Sequence, residues 1–126
     1  MPAPKPQGGL FFRSDMQKQY RLRKNGSFQY VYRKGTPASG GVLSLRFLKA
    51  GRLQVGFSVS KKVGNAVTRN RVKRRMRESF RHLIPSLRRG LYVFTARPSA
   101  AEADYARIEK DVQKTLAKAA CFKQTP

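Results

Sequence analysis

The sequence predicts an α+β fold in which helices pack against one small sheet. Segments 42–48 and 53–60 alternate apolar and polar residues with the period of two that is typical of β-strands. Two later segments place apolar residues three or four positions apart, which is the spacing of an amphipathic helix. The full order is helix, strand, strand, helix, strand, helix, and we interpret it as a two-layer sandwich.

One domain is expected, over residues 17–120, because 126 residues are enough for one modest core. Residues 1–16 contain three prolines and two glycines without hydrophobic periodicity, so they are predicted to form a flexible arm. Residues 121–126 are predicted to form a short C-terminal tail.

The first helix is predicted for residues 27–34. Asn25 is a favourable N-cap residue just before it, and Gly35 is a favourable C-cap residue just after it. Residues 36–41 contain one proline and two glycines, and they are predicted to form a turn-rich connection to the sheet.

The two strands that follow are predicted to pair as a hairpin, since only a short Ala50-Gly51 turn separates them. In the first strand, Ser44 and Arg46 alternate with apolar residues. In the second, the apolar residues alternate with a small, polar face that permits the close approach of a backbone or a ligand. This face consists of Gln54, Gly56, Ser58 and Ser60.

A second helix is predicted from about residue 68 to residue 84, where Pro85 ends it. One side of this helix is apolar and the opposite side is basic. The apolar residues are Val72, Met76, Phe80 and Leu83. The polar and basic residues are Asn70, Arg74, Arg77 and Arg81.

Residues 91–96 are apolar enough to form a central third strand, and a last helix is predicted to end near residue 118. The start of that helix has two interpretations. Ser99 with Glu102 matches a capping box, whereas Asp104 is a suitable N-cap just before Tyr105.

The charge of the chain indicates a polyanionic partner. The chain contains 28 Lys and Arg residues against six Asp and Glu residues, a formal net charge of +22. Such an excess destabilises the compact state by self-repulsion, so it is usually retained for a partner of opposite charge. A membrane is the weaker alternative, because no apolar run approaches the roughly 18 residues that span a bilayer.

The basic residues are concentrated in residues 61–81, where nine Lys or Arg accompany a single acid, Glu78. A merely solvated helix face would be better served by charges of mixed sign. We therefore interpret this segment as a nucleic-acid-binding element.

Two aromatic residues of the first helix, Phe28 and Tyr32, are four positions apart and therefore share one face. Beside Arg33 and Lys34, they are suited to stacking on unpaired bases. The alternative, that Phe28 simply belongs to the core, is equally compatible with the sequence.

The residues for protein-based catalysis are not evident in this sequence. A metal-dependent nuclease needs two or three convergent carboxylates, and no spacing among the six acids predicts such a set. His82 is the only histidine and Cys121 the only cysteine. We expect no catalytic or metal-binding residue in the protein, a solvated or RNA-contacting His82 and a passive Cys121.

The run 59–74, VSKKVGNAVTRNRVKR, resembles the signature of the bacterial ribonuclease P protein subunit, in particular its Arg69-Asn70-Arg71 motif. Leu22-Arg23-Lys24, Arg77-Glu78 and Ala96-Arg97-Pro98 agree with the same family. The resemblance extends over about residues 19–118.

This resemblance implies a small basic subunit of an endoribonuclease that removes the 5′ leader of precursor tRNA. It implies that the catalytic centre and most of the Mg²⁺ belong to the RNA subunit, and that the partners are this catalytic RNA and precursor tRNA. A cytoplasmic location, no membrane association and no obligate protein partner are expected. The family also implies a left-handed crossover between the parallel second and third strands.

The resemblance further implies two RNA-binding surfaces. The expected contacts with the catalytic RNA are Lys61, Lys62, Asn65, Arg69, Asn70, Arg71, Lys73, Arg74 and Arg77. The expected leader cleft contains Phe28, Tyr32, Arg46, Ser58 and Ser60. Arg46 departs from the family, in which many relatives have an aromatic residue, and it would replace stacking by a phosphate contact.

Two other functions remain open at this level. A structural RNA-binding protein, such as a ribosomal component or an RNA chaperone, would share the charge but would not require a cleft for a leader. A protein nuclease is disfavoured because a carboxylate cluster is not apparent.

Overall fold

A computed structural model describes residues 20–22 and 25–123 of the chain. Within them the α+β class and the predicted order of the elements are confirmed. The principal elements are α1 (Asn25–Lys34), β1 (Thr36–Ser39), β2 (Leu43–Lys49), β3 (Gln54–Ser58), α2 (Ala66–Arg81), β4 (Gly90–Ala96) and α3 (Tyr105–Lys118). The predicted arm at residues 1–16 lies outside the described residues.

The strands form one mixed sheet in the order β1-β2-β4-β3. β2 pairs with both β1 and β4 in antiparallel orientation, whereas β3 and β4 are parallel neighbours. The third predicted strand, β4, is therefore central, as its apolar sequence indicates. Because α2 connects β3 to β4, the implied βαβ unit is present; its handedness stays a prediction of the resemblance.

Two local predictions are wrong. Residues 36–39 form β1 within the supposed connection, and Pro37 is accommodated because β1 is an edge strand whose outer side needs no hydrogen bond. The two strands expected to pair as a hairpin are separated by β4. The short turn between them suggested pairing. Instead, all seven residues of β2 pair with the more apolar β4.

The main core lies on the sheet face that carries α2 and α3. Apolar residues of α2 and α3 pack there against alternate residues of every strand. Aromatic rings dominate its centre: the Phe80 ring of α2 makes edge contacts with Tyr92 at 5.3 Å and with Phe94 at 5.5 Å between centroids. These contacts hold α2 against the sheet, so its opposite side faces solvent.

α1 packs on the other face of the sheet. A smaller cluster there buries Leu22, Val31 and Val93, with Phe28 and Tyr32 packed against it. The Leu22 amide donates to the Val55 carbonyl at 2.9 Å, so the segment before α1 pairs with the free edge of β3. α1 is thereby held across one part of this face.

The helix caps explain where α2 and α3 begin. The Asn65 side chain accepts a hydrogen bond from the Thr68 amide at 2.9 Å, so α2 begins at Ala66, two residues before the predicted start. Asp104 likewise accepts from the Arg107 amide at 2.9 Å. This bond selects Asp104 over the Ser99 capping box as the start of α3.

Asp111 joins α3 to the start of β2. Its buried carboxylate accepts a hydrogen bond from the Val42 amide at 2.7 Å, and the Arg107 guanidinium lies 3.8 Å from the same oxygen. Since a buried carboxylate and a buried amide each need a partner, this contact contributes to stability more than an exposed ion pair would.

We expect Asp111→Ala to lower the free energy of unfolding by about 1–3 kcal/mol, because it leaves the Val42 amide without its acceptor. Asp111→Asn retains a side-chain oxygen and should lose less. Urea denaturation of the two variants and the wild type measures the difference. Equal stability of Asp111→Ala and the wild type would contradict this role.

Cys121 is fully buried, and burial raises the pKa of its thiol to about 12. The neutral thiol therefore contributes stability that is fully present below its ordinary pKa of 9.0 and is lost as the pH rises toward 12. Burial also raises the pKa of Tyr92, which acts in the same direction above its ordinary value of 10.0.

We expect the Tm of the wild type to fall as the pH rises from 9 to 10, and the Tm of Cys121→Ala to fall less over the same interval. Thermal unfolding followed by circular dichroism gives both curves. Parallel curves for the two proteins would contradict this prediction, because they would show that ionisation of the Cys121 thiol does not affect the stability of the fold.

Candidate RNA-binding surfaces

The basic surface begins at the turn that leads from β3 into α2. The amides of Val63 and Gly64 donate to the carbonyls of Ser60 and Lys61, which closes the turn. Gly64 has a φ of 155°, a conformation that other residues rarely adopt. This geometry places the Asn65 cap and the N-terminus of α2 directly after the two lysines.

The structure brings the nine residues predicted to bind the catalytic RNA onto this turn and the outer side of α2. Lys61, Lys62, Asn65, Asn70 and Arg74 are exposed. Arg69, Arg71, Lys73 and Arg77 are partly exposed. The buried side of the helix carries Val72, Met76, Ser79 and Phe80, so the predicted division into a core side and a basic side is observed.

Some of these side chains also hold the fold. Asn65 caps α2, and the Arg69 Nε donates to the Gly64 carbonyl at 3.1 Å. The Arg71 guanidinium reaches the Ala101 carbonyl at 3.5 Å. A guanidinium carries five N–H donors, so one bond to a carbonyl orients it while others can still contact a phosphate.

Arg75 has a different role. Its Nη1 donates to the Ala103 carbonyl at 2.6 Å, which ties α2 to the segment before α3. The sequence gives little sign of this difference, because Arg75 is one of several basic residues in the run and its partner is 28 positions away.

The positive charge of α2 is poorly neutralised within the described part of the chain. The ion pairs between described residues are Arg81–Glu78 at 2.9 Å and Arg107–Asp111 at 3.8 Å. Neither pair includes any of the nine predicted residues. Burial, followed by the charge of Arg21, lowers the pKa of the Arg77 guanidinium, as expected where cations crowd each other.

The second predicted surface is the leader cleft, whose aromatic residues lie where α1 packs on the sheet. The Phe28 ring lies directly on β3, where a Cβ at Gly56 would overlap it. Phe28 nevertheless remains partly exposed. The small face of β3 is thus what permits this ring to approach the sheet, and Phe28 packs there while part of it stays accessible to solvent.

Tyr32 and Arg46 are in contact with each other where α1 packs on the sheet. The Tyr32 hydroxyl forms a hydrogen bond with the Thr95 hydroxyl of β4. The Arg46 Nη1 donates to the Tyr32 carbonyl at 2.5 Å, and its guanidinium carbon lies 5.9 Å from the centre of the Tyr32 ring. One aromatic ring and one cation are therefore held in fixed positions beside the open part of the sheet.

The strand register adds residues that the sequence did not reveal. Thr95 pairs with Ser44 of β2 and with Ser58 of β3, and Ser44 pairs with Ser39 of β1, so four hydroxyl side chains form one row on the α1 side of the sheet. Ser44 and Thr95 could not be found from sequence, because the row depends on β4 lying between β2 and β3. Ser60 lies beyond the end of β3, where its Oγ accepts from the Lys62 amide at 3.3 Å.

Neither surface is built like a metal site. Among the described residues there is no group of three or more His, Cys, Asp or Glu side chains that could hold a metal ion. The carboxylates of Glu78, Asp104 and Asp111 bind Arg81, the Arg107 amide and the Val42 amide, and they do not converge. In the same residues, no helix is long and apolar enough to cross a membrane.

Comparison with known proteins identifies the family of this chain. The family model for ribonuclease P matches residues 16–120. The ribonuclease P protein component of Listeria innocua is 38% identical over 115 residues, which are 88% of this chain and 97% of that protein. The corresponding protein of an Exiguobacterium species is 42% identical over 106 residues, or 82% and 93% of the two chains.

Solved structures show the same fold. A mutant of the Staphylococcus aureus RNase P protein with defective mRNA degradation activity superposes with a TM-score of 0.82 at 32% identity, covering 90% of this chain and 99% of that one. The RNase P protein of Thermotoga maritima gives a TM-score of 0.70 at 25% identity, covering 78% and 96%.

Proposed function

This chain belongs to the ribonuclease P protein family, which indicates a role in tRNA 5′ processing, and from that premise we propose how it acts. The turn at Lys61 and Lys62, together with the outer side of α2, binds the catalytic RNA. The cleft between α1 and the sheet binds the single-stranded 5′ leader of precursor tRNA. The chain thus acts as a subunit of an endoribonuclease whose catalytic centre is in the RNA.

One observation carries the proposal: β3 belongs to both surfaces. Its Gly56 and Ser58 lie on the cleft side of the sheet, and its C-terminal end continues through the turn at residues 60–64 into α2. A leader lying along the cleft is therefore brought directly beside the surface that faces the catalytic RNA.

The basic surface acts through electrostatics. Two RNA molecules that approach each other repel, and a cationic protein between them reduces this repulsion. Phosphates neutralised by Lys and Arg release condensed counterions, so the affinity for RNA should fall steeply as the salt concentration rises. The proposed contacts are supported by the exposure of Lys61, Lys62, Asn70 and Arg74, and by the ion pairs between described residues, which include none of these four.

The cleft provides selectivity for the precursor. Phe28 and Tyr32 offer ring surfaces for unpaired bases, and Arg46 offers donors for a phosphate. Mature tRNA lacks the leader and cannot make these contacts. The protein therefore favours precursor over product by differential binding, and no protein group needs to attack the phosphodiester bond.

The Mg²⁺ that the reaction requires is assigned to the RNA subunit in this proposal. Among the described residues, no group of three or more His, Cys, Asp or Glu side chains could hold a cation. We propose that the holoenzyme's Mg²⁺ is bound mainly by RNA, that the chain needs no obligate protein partner, and that it works in the cytoplasm with precursor tRNA.

Leader length tests the proposed cleft. We would measure the affinity of the reconstituted complex for precursor tRNAs with leaders of increasing length, and for mature tRNA. Affinity should rise with leader length until the cleft is filled and then become constant. Equal affinity for precursor and mature tRNA would exclude leader binding and favour a structural RNA-binding role.

A further inference from the structure

We propose that Arg21 joins Arg74 and Arg77 in one site for an RNA phosphate at the free edge of β3, between the leader cleft and the basic side of α2. This inference rests on the proposed function, and it adds a residue from outside both predicted surfaces. The phosphate belongs either to the leader or to the catalytic RNA.

Backbone pairing fixes the position of Arg21. Arg21 forms a parallel bridge with Val55 at the outer edge of β3, and the adjacent Leu22 amide bonds to the Val55 carbonyl at 2.9 Å. Residues paired across a ladder direct their side chains to the same face of the sheet. Val55 is buried in the core beneath α2, so Arg21 projects on the α2 side, whereas Leu22 is buried on the α1 side.

α2 packs on this same face of the sheet and contacts β3, so Arg21 projects on the side of the sheet that carries this helix. Arg74 and Arg77 are three residues apart on the helix and therefore neighbours on its surface. Burial is the largest cause that lowers the pKa of the Arg77 guanidinium. The charge of Arg21 lowers it further, and Arg74 acts in the same direction. Arg21 and Arg74 are exposed, so a ligand can reach the group from solvent.

Three guanidinium groups on neighbouring parts of the surface repel one another, and an anion would relieve this repulsion. Glu78 offsets part of the charge on Arg77, but its Oε1 also binds Arg81 at 2.9 Å. A phosphodiester offers two unesterified oxygens to a group of guanidinium donors, which suits arginine better than lysine. The arrangement is therefore favourable when a bound anion adds compensating charge beside these arginines.

The test compares Arg21→Gln, Arg77→Gln and the double variant in the full chain, with Lys114→Gln as a control of equal charge change on α3. We expect Arg21→Gln to weaken binding of the catalytic RNA, or of precursor tRNA by the complex, by about 5-fold. The slope of log affinity against log salt should decrease by about 0.7–0.9 for the lost phosphate contact.

The sources of the phosphate are distinguishable. A loss confined to precursor tRNA assigns the phosphate to the leader, and a loss in binding the catalytic RNA assigns it to that RNA. In either case the double variant should lose less than the product of the two single losses, because both residues hold one phosphate. The Tm of the RNA-free Arg21→Gln protein should not decrease, since the substitution relieves repulsion.

The inference is overturned if Arg21→Gln binds both RNAs like Lys114→Gln, or if the two losses are independent. A lowered Tm that accounts for the weaker binding also overturns it. The wild-type protein tests the proposed function independently. If the complex with wild-type protein still prefers precursor to mature tRNA, leader binding in the cleft is retained even though the Arg21 site is excluded.

Discussion

Replacing Lys61, Lys62 and Arg74 by Gln together should weaken binding of the catalytic RNA by about 100-fold at physiological salt. We take about 1 kcal/mol for each lost phosphate contact, which gives about 3 kcal/mol in total. The slope of log affinity against log salt should also decrease by about two to three. All three side chains are exposed, so the substitutions should leave the core unchanged.

A charge-matched control separates a local effect from loss of net charge. Lys49, Lys110 and Lys114 are also exposed and lie away from the basic side of α2. Their triple replacement by Gln removes the same three charges and should weaken binding much less. Equal losses in the two triple variants would mean that only net charge matters, and that α2 is not the recognition surface.

Tyr32→Ala should reduce the preference of the complex for precursor over mature tRNA by about 10-fold. Stacking of one base on an aromatic ring contributes about 1–3 kcal/mol, and only the precursor has a leader to stack. The substitution also removes the ring beside Arg46 and the hydroxyl bonded to Thr95. Affinity for mature tRNA should be unchanged, and binding measurements with both RNAs provide the ratio.

Tyr32→Phe is the matched variant, because it retains the ring and removes only the hydrogen bond to Thr95. We expect it to keep most of the preference for precursor tRNA. If Tyr32→Ala affected mature and precursor tRNA equally, the ring would act on the fold or on the catalytic RNA. If both variants lost the preference equally, the hydroxyl row of the sheet would be the determinant, and stacking would be excluded.

The basic helix could be predicted from the sequence because its pattern is local. The spacing of Val72, Met76 and Phe80 identifies the buried side, and this assignment automatically places Asn70 and Arg74 on the other. The limits of the helix were predicted less well. It begins two residues before the predicted start, because Asn65 caps it through one hydrogen bond, and it ends at Arg81, before the predicted residue 84.

The sheet could be predicted only in part, because strand pairing depends on distant residues. Alternation identified both faces of β3 correctly, with Gly56 on the α1 side and Val55 in the core. It could not reveal that β4 lies between β2 and β3. The row that includes Ser44 and Thr95 and the bridge of Arg21 to β3 both follow from that order and were therefore missed.

The difference between Arg74 and Arg75 shows that the residues of the site, like the strand pairing, could be predicted only in part. Both belong to one basic run, yet Arg74 is exposed whereas Arg75 donates to the Ala103 carbonyl at 2.6 Å. Helical spacing distinguishes the two faces, but whether a given arginine binds the fold or a ligand depends on which carbonyl the tertiary structure brings within reach.

The most direct test is cleavage of precursor tRNA by the catalytic RNA at low Mg²⁺, with this chain, without it, and with the chain alone. We expect cleavage at the mature 5′ end only when the RNA and the protein are both present. Cleavage by the chain alone would contradict the assignment of catalysis to the RNA. Tight RNA binding without any gain in cleavage would instead indicate a structural RNA-binding protein.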